Sequence, residues 1–355
     1  MSIIHADSFN LYGTDYRNLL EGVYAEVDNQ ADVVADPDGI STQNVMRYTE
    51  GFDTLLRWVV PTPTDVIGIA ARWWMSALPA ANEQRPLIAS WRDNDNIEIG
   101  YVTIDTTGRL SLYMSQSGGS FGTPTLVGTT TSPVITAEGW WHIEIKMDTT
   151  TPRCQIKVEG NSVLDENASW TNHASVGDIY QIQWEGHDDA GGAGPHAYQK
   201  DLVVWDDAGS VNNDFLGKVV VYCQRPDADV SGAWTQSTGT VSYSLLDNNE
   251  ADTLTYISAP STPPTAEVVG MEALPTTVTS VLAVTTWVHA AKSDGGTATL
   301  QNSILSGTAS DAGADNELTV NEIWWIDVSE LDPNTASAWA RTTVDASSLQ
   351  FDRTS

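Results

Sequence analysis

WWHIEIKMDTTTPRCQIKVEGNSVLDE, residues 140–166, decides the fold class. Trp141, Ile143 and Ile145 alternate with His142, Glu144 and Lys146; Ile156 and Val158 then alternate with Lys157 and Glu159. A side-chain period of two sets one group of residues on a core and the other toward water, as in a half-buried strand. Gly160-Asn161 supplies a tight turn at which Val163 and Leu164 fold back, so the stretch predicts a hairpin and a return strand.

Short strand patterns of the same kind recur on both sides. They fall at Leu55–Val60, Val66–Ser76, Pro86–Arg92, Ile97–Asp105, Arg109–Ser115, Ile179–Gly186, Leu202–Asp206 and Lys218–Gln224. Asp/Asn/Gly clusters such as Asp93-Asn94-Asp95-Asn96 punctuate them, which predicts an all-β chain built as antiparallel sandwiches. The polar stretch AGSVNND ends the first set, giving expected domains at 1–214 and 215–355. In the second domain, strands are expected at Val219–Tyr222, Val241–Leu246, Leu254–Ile257, Val278–Ala290 and Ile323–Val328. The apolar run VLAVTTWVH, 281–289, is expected to cross its centre, and a short helix is expected over Thr335–Arg341 after Asp332-Pro333.

The charge balance excludes several partners. Asp plus Glu number 47 against 16 Lys plus Arg, a net charge of -31, so no basic stripe exists to track phosphate and an anionic membrane would repel the chain. The opening MSIIHADSFNLYG has no basic segment followed by an apolar one, so no cleaved leader is expected. Two cysteines, Cys154 and Cys223, make no disulfide framework and are expected as free thiols.

Candidate sites are few. A lectin-like sandwich that cleaves glycans needs two carboxylates on one strand, and the nearest match, Glu26-Val27-Asp28-Asn29-Gln30-Ala31, has Ala where the second Glu belongs. No catalytic residue is therefore expected. Asp93 and Asp95, beside Trp91, are candidate ligand-binding residues; the turn could take Ca2+, but an Asx-rich turn bonding its own backbone is the simpler reading, so no metal or cofactor is expected. His187 and Asp188 precede a Gly-rich loop and complete the ligand-binding candidates. In the pairs Trp73-Trp74, Trp140-Trp141 and Trp324-Trp325, one ring can fill a core while its neighbour faces outward. Trp324, Trp325 and the aromatic residues Phe9, Tyr12 and Tyr16 near the start of the chain are the expected subunit contacts.

The WWHIEIKM hairpin and its return strand resemble concanavalin A-like (laminin-G-like) lectin domains. With IIHADSFNLYG, DLVVWDDAGSVNNDFLGKVVVYCQRPDAD and WWIDVSELDPNTASAWARTTVDASSLQF, the chain is similar to tailed-bacteriophage virion structural proteins that carry such an N-terminal domain. The resemblance implies a non-enzymatic protein made in the host cytoplasm and displayed on the virion as a capsid decoration, head spike or tail appendage. It implies contacts with other capsid or tail proteins, a homo-oligomer with a trimer the expected form, and attachment to host-surface polysaccharide. A lectin-like adhesin is the alternative reading, a glycan-cleaving enzyme a more distant one.

Overall fold

A computed structural model describes residues 3–12, 16–27, 31–39, 43–48, 54–79, 87–114, 125–151, 153–166, 178–186, 196–247, 254–263 and 265–355. The chain divides into two compact units, Ile4–Val221 and Tyr222–Ser355, so the division falls seven residues beyond the expected 214/215. The strand pairs of described register are antiparallel in both units.

The first unit is a β-sandwich. Its strands begin with β1 (Ile3–Asp7), β2 (Glu26–Val27), β3 (Ala31–Ala35), β4 (Asn44–Tyr48) and β5 (Thr54–Thr64). Then come β6 (Val66–Met75), β7 (Leu87–Arg92), β8 (Glu98–Ile104), β9 (Leu110–Met114) and β10 (Thr125–Thr129). The last are β11 (Trp141–Asp148), β12 (Arg153–Val158), β13 (Asn161–Glu166), β14 (Ile179–Gly186) and β15 (Ala197–Asp206). One sheet of eight strands runs β13-β12-β11-β6-β15-β4-β3, with β1 also on β15; the other, of seven, runs β10-β9-β8-β7-β14-β5-β2.

Period-two alternation builds the core between them. From the eight-stranded sheet, Ile143, Ile145, Met147, Ile156, Ile69, Ala71 and Trp73 are buried; from the other, Leu56, Trp58, Ile182, Trp184, Trp91, Val102 and Leu112. The β12–β13 turn is Glu159-Gly160, one residue earlier than the spacing suggests. Both residues have positive φ (54° and 81°), the type I′ geometry that matches strand twist. Gly68 has a different reason to be glycine: a Cβ there would lie 2.0 Å from the Trp205 indole, which rests on the backbone of β6.

A strap, 207–221, closes the outer face of the eight-stranded sheet. Leu216 N and Gly217 N donate to Glu144 Oε1 (2.7 and 3.0 Å), Val219 N to His142 Nε2 (3.4 Å) and Val221 N to Asp201 Oδ1 (2.8 Å). Asp214 pairs with Lys146 at 3.0 Å, and Phe215 packs against Trp205 and beneath the Lys157 ammonium. These contacts explain why Glu144 and His142, polar outer-face residues, are 0 and 2 % exposed. They also correct the expected strand Lys218–Gln224: N–H groups committed to side-chain acceptors leave no ladder to a neighbour.

The second unit is built on a six-stranded sheet ordered Pro226–Gly232, Thr265–Met271, Ser348–Arg353, Thr299–Ser306 and Ala309–Ala312, with Asn316–Glu317 beside Thr299–Ser306. Val269, Leu300, Leu349 and Phe351 pack with Val288 from a separate two-stranded sheet, Val284–Ala290 with Ile323–Ser329. Of the run 281–289, expected to cross the centre of this unit, residues 284–289 lie in this two-stranded layer, from which Val288 enters the core. Expected strand Val241–Leu246 is instead a turn with a 3-10 segment, Tyr243–Leu245, because the Asp229 carboxylate accepts from Ser242 N and Tyr243 N. Only Ile257–Ser258 of the expected strand Leu254–Ile257 is paired. The helix over Thr335–Arg341 is also corrected: Asp332 bonds Asn334 N and Ala336 N in a tight turn, and the helical turn is Arg341–Val344. The exposed edge strand Pro226–Gly232 carries a proline, two aspartates and two register breaks, features that block pairing with another edge. No helix among the described residues is long and apolar enough to cross a membrane.

Candidate functional site

The outward face of the seven-stranded sheet is polar, as alternation requires once Leu56, Trp58, Ile182, Trp184 and Trp91 point inward. Register then aligns one residue from every strand. Glu26 (β2) opposes Arg57 (β5), Arg57 opposes Gln183 (β14), Gln183 opposes Ser90 (β7), Ser90 opposes Tyr101 (β8), Tyr101 opposes Tyr113 (β9), and Tyr113 opposes Leu126 (β10). Six inter-strand steps of about 4.8 Å make a row roughly 29 Å long. A second row beside it holds Val59, Gln181 and Arg92, with Glu98 next.

The two tyrosine rings stack on each other, centroids 4.9 Å apart at 16°, and both are half-buried. At the β10 edge Leu126 is 51 % exposed. The arginines are fixed by carboxylates: Arg57 Nη2 lies 2.8 Å from Glu26 and Arg92 Nη2 3.8 Å from Glu98, which also accepts from Ser90 Oγ at 2.9 Å. Gln183, 4 % exposed, donates through Nε2 to Glu185 Oε2 at 2.8 Å. Arg57 Nε, Arg92 Nε, Gln181 Oε1 and Gln183 Oε1 are buried and find no partner among the described residues. These atoms are closed to solvent, as are the Ser90 and Gln183 side chains at 0 and 4 % exposure, so the middle of the row is not solvent-accessible.

The candidates read from sequence are placed differently. Trp91 is 0 % exposed on the inward face of β7, so it is corrected from ligand contact to core. Its neighbours Ser90 and Arg92 are the outward residues. Asp93 Oδ1 accepts from Asp95 N (3.0 Å) and Ile97 N (2.8 Å), an Asx turn that uses the carboxylate locally. No group of three His, Cys, Asp or Glu among the described residues is placed to hold a metal ion. His187 and Asp188 lie outside the described residues.

Phe9 and Tyr12, expected at a subunit contact, are fully buried. Asp7 accounts for this: its Oδ2 accepts from Tyr12 and Tyr24 hydroxyls at 2.7 Å each, and its Oδ1 from Phe9 N at 2.6 Å. Burial pushes the Asp7 carboxyl up to about 6 against the opposing pull of these bonds, and pushes neighbouring His5 down to about 3. Tyr16 opens the helix Tyr16–Glu21, and its side chain lies outside the described residues. Trp324 and Trp325 are half-buried; Trp324 meets Trp287 edge-on at 5.8 Å and His289 at 4.7 Å. Cys154 and Cys223 are both free thiols.

Sequence reasoning missed the cross-strand row. Its signal was the alternation of Gln181, Gln183 and Glu185 with Ile182 and Trp184 in QIQWE, a strand polar on one side only.

No family model matches this sequence, and no curated protein matches it. Solved structures similar to it include a sialidase (15 % identity, TM-score 0.39, 57 % of this chain) of which the chain covers only 18 %. The alginate lyase Aly36B matches at 11 % identity and TM-score 0.40, over 57 % of this chain and 96 % of that one. The carbohydrate-binding module CBM66 from Bacillus subtilis matches at 9 % identity and TM-score 0.33, over 50 % and 92 %. Likeness of this size assigns neither a substrate nor an activity to this chain.

Proposed function

We propose that the first unit holds a glycan at the Tyr101–Tyr113–Leu126 end of the row Glu26–Arg57–Gln183–Ser90–Tyr101–Tyr113–Leu126, and does so without cleaving it. The row itself carries the reading. It crosses all seven strands and sets the stacked, half-buried Tyr101 and Tyr113 rings beside the exposed Leu126 at one end, an apolar platform suited to pyranose faces, while Ser90 and Gln183 in its middle are closed to solvent. Its carboxylates favour holding over cutting: Glu26, Glu98 and Glu185 are each engaged in orienting an arginine, serine or glutamine. The test is a glycan array probed with the full chain and with Tyr101→Ala. Retention of specific glycans by the first and their loss by the second supports the reading, and a blank array for the unaltered chain opposes it. A reducing-sugar release assay on each retained glycan addresses catalysis.

The setting we propose is a tailed-phage virion, where the chain is a surface-displayed structural component, homo-oligomeric, and contributes to host attachment. The sequence segments quoted above support this, and many copies would multiply a weak single-site affinity. Mass analysis of purified particles tests it: the chain should be stoichiometric with other virion proteins.

A further inference from the structure

We propose that Lys200 and Asp36 form an intramolecular amide, Nζ to Cγ, that staples the edge of the eight-stranded sheet to its interior. Lys200 lies on β15 and Asp36 directly follows β3; β4 separates them in the sheet, and they stand 164 positions apart in the chain. Lys200 Nζ is 2.5 Å from Asp36 Oδ2, and the two side chains are 7 and 0 % exposed. The Trp140 indole covers the amine, its ring centroid 4.0 Å from Nζ. A charged pair taken this far out of water is a poor source of stability, whereas the neutral amide made from it needs no counter-charge. Both cysteines are free thiols, so no disulfide secures this edge.

The surroundings suit the reaction. Asp36 Oδ1 accepts from Trp140 Nε1 and Asp38 N, both at 3.2 Å, so negative charge developing on that oxygen meets two donors. Moving one proton along the Nζ–Oδ2 hydrogen bond leaves an amine facing a carboxylic acid. The nitrogen lone pair then attacks Cγ, the C–N bond forms and the charge passes to Oδ1. As Oδ1 regains its double bond, Oδ2 departs with the proton it received and a second from Nζ. The products are one secondary amide and one water, and no oxidant, reductant or co-reactant enters.

Asp201 supplies a second carboxyl to carry the Nζ proton. β15 bulges between Lys200 and Val203, where Asp201 takes a positive φ of 55°. Asp201 thereby shares the outward face with Lys200: its Oδ1 accepts from Val221 N of the strap at 2.8 Å, and Arg72 Nε lies 3.4 Å from Oδ2. That Oδ2 is buried and makes no hydrogen bond among the described residues. Burial raises the Asp201 pKa, with Asp36 adding to the rise and Val221 N, Arg72 and Lys200 opposing it, so this carboxyl takes up a proton readily.

The experiment is mass spectrometry of the full chain, purified folded and then denatured, whole and after tryptic digestion. The unaltered chain should be lighter than its sequence by one water, the peptides carrying Asp36 and Lys200 should be recovered joined, and cleavage after Lys200 should be absent. Lys200→Met should show no joined peptide. Asp38-Gly39 can lose the same water by closing a succinimide, so the position of the deficit decides. A full sequence mass, or a deficit confined to Asp38, would overturn the proposal. The joined fraction followed from cell-free synthesis onward tests the proton carrier: Asp201→Asn should slow its appearance about a hundredfold and Asp201→Glu should restore it. Equal rates in all three chains would overturn that role.

Discussion

Replacing Glu144 with leucine should release the strap from the eight-stranded sheet. Glu144 is 0 % exposed, and its Oε1 accepts two strap N–H groups, Leu216 at 2.7 Å and Gly217 at 3.0 Å. Leucine fills similar space but accepts nothing, so two donors lose their partner, each at a cost of about 1–3 kcal/mol when buried. Part of this is offset, because the carboxylate itself is held against desolvation; burial raises its pKa, with the two strap bonds and Lys157 opposing. A net loss of about 3 kcal/mol results, which lowers Tm by about 6–12 °C in a unit of this size. Glutamine keeps an acceptor oxygen in place, so Glu144→Gln should lose less than half as much. Amide hydrogen exchange is the assay: in Glu144→Leu the amides of Leu216, Gly217, Val219 and Val221 should exchange faster than in the unaltered chain, while those of β11 stay protected. Unchanged exchange at Leu216 and Gly217 in the leucine variant would refute the reasoning, whatever the shift in Tm.

Three further outcomes follow from particular contacts. Asp7 has a folded pKa of about 6 against an ordinary 3.8, so its ionised form opposes folding above pH 6 and the cost vanishes as pH falls below 3.8. The stability of the unaltered chain relative to Asp7→Asn should therefore rise by about 2.5 kcal/mol between pH 8 and pH 4, measured by urea unfolding; a pH-independent difference contradicts this. Gly68→Ala forces a methyl into the Trp205 indole and should cost about 3 kcal/mol, partly recovered by Trp205→Leu in the same chain; an unchanged denaturation midpoint for the single variant would show the contact to be soft. Because Asp93 spends its carboxylate on Asp95 N and Ile97 N, Asp93→Ala should lower stability by about 1 kcal/mol, and millimolar Ca2+ should leave the Tm of the unaltered chain where it is.

Local alternation made β5–β9 and β11–β15 legible in sequence, but not the shorter β1–β4 and β10; what alternation does not encode is register. Residues 140–166 read correctly as a hairpin and return strand because each strand carries its own two-faced pattern. Gln183 meets Arg57 on one side and Ser90 on the other only after three segments far apart in the chain have paired. Trp91 was misplaced for a related reason: its proximity to an acidic turn outweighed its parity with the apolar residues of β7, although Ser90 and Arg92 on either side already named the outward face. Phe9 and Tyr12 depended on Asp7, a buried acceptor that looks like any surface aspartate in a linear reading. The strap failed as a strand because its valines suggest pairing while its N–H groups go to side chains of another element. In the second unit, Asp229 and Asp332 likewise convert apolar or helix-like stretches into turns by capturing backbone N–H groups.

The most direct trial of the account is the dissociation constant of the double variant Tyr101→Ala/Tyr113→Ala for whichever glycan the unaltered chain retains. Removal of both stacked rings from the outward face should weaken binding by one to two orders of magnitude, roughly 1–3 kcal/mol, while the fold, whose core lies on the opposite side of those strands, persists. Affinity equal to that of the unaltered chain would place the glycan elsewhere on the molecule and contradict the assignment of this face.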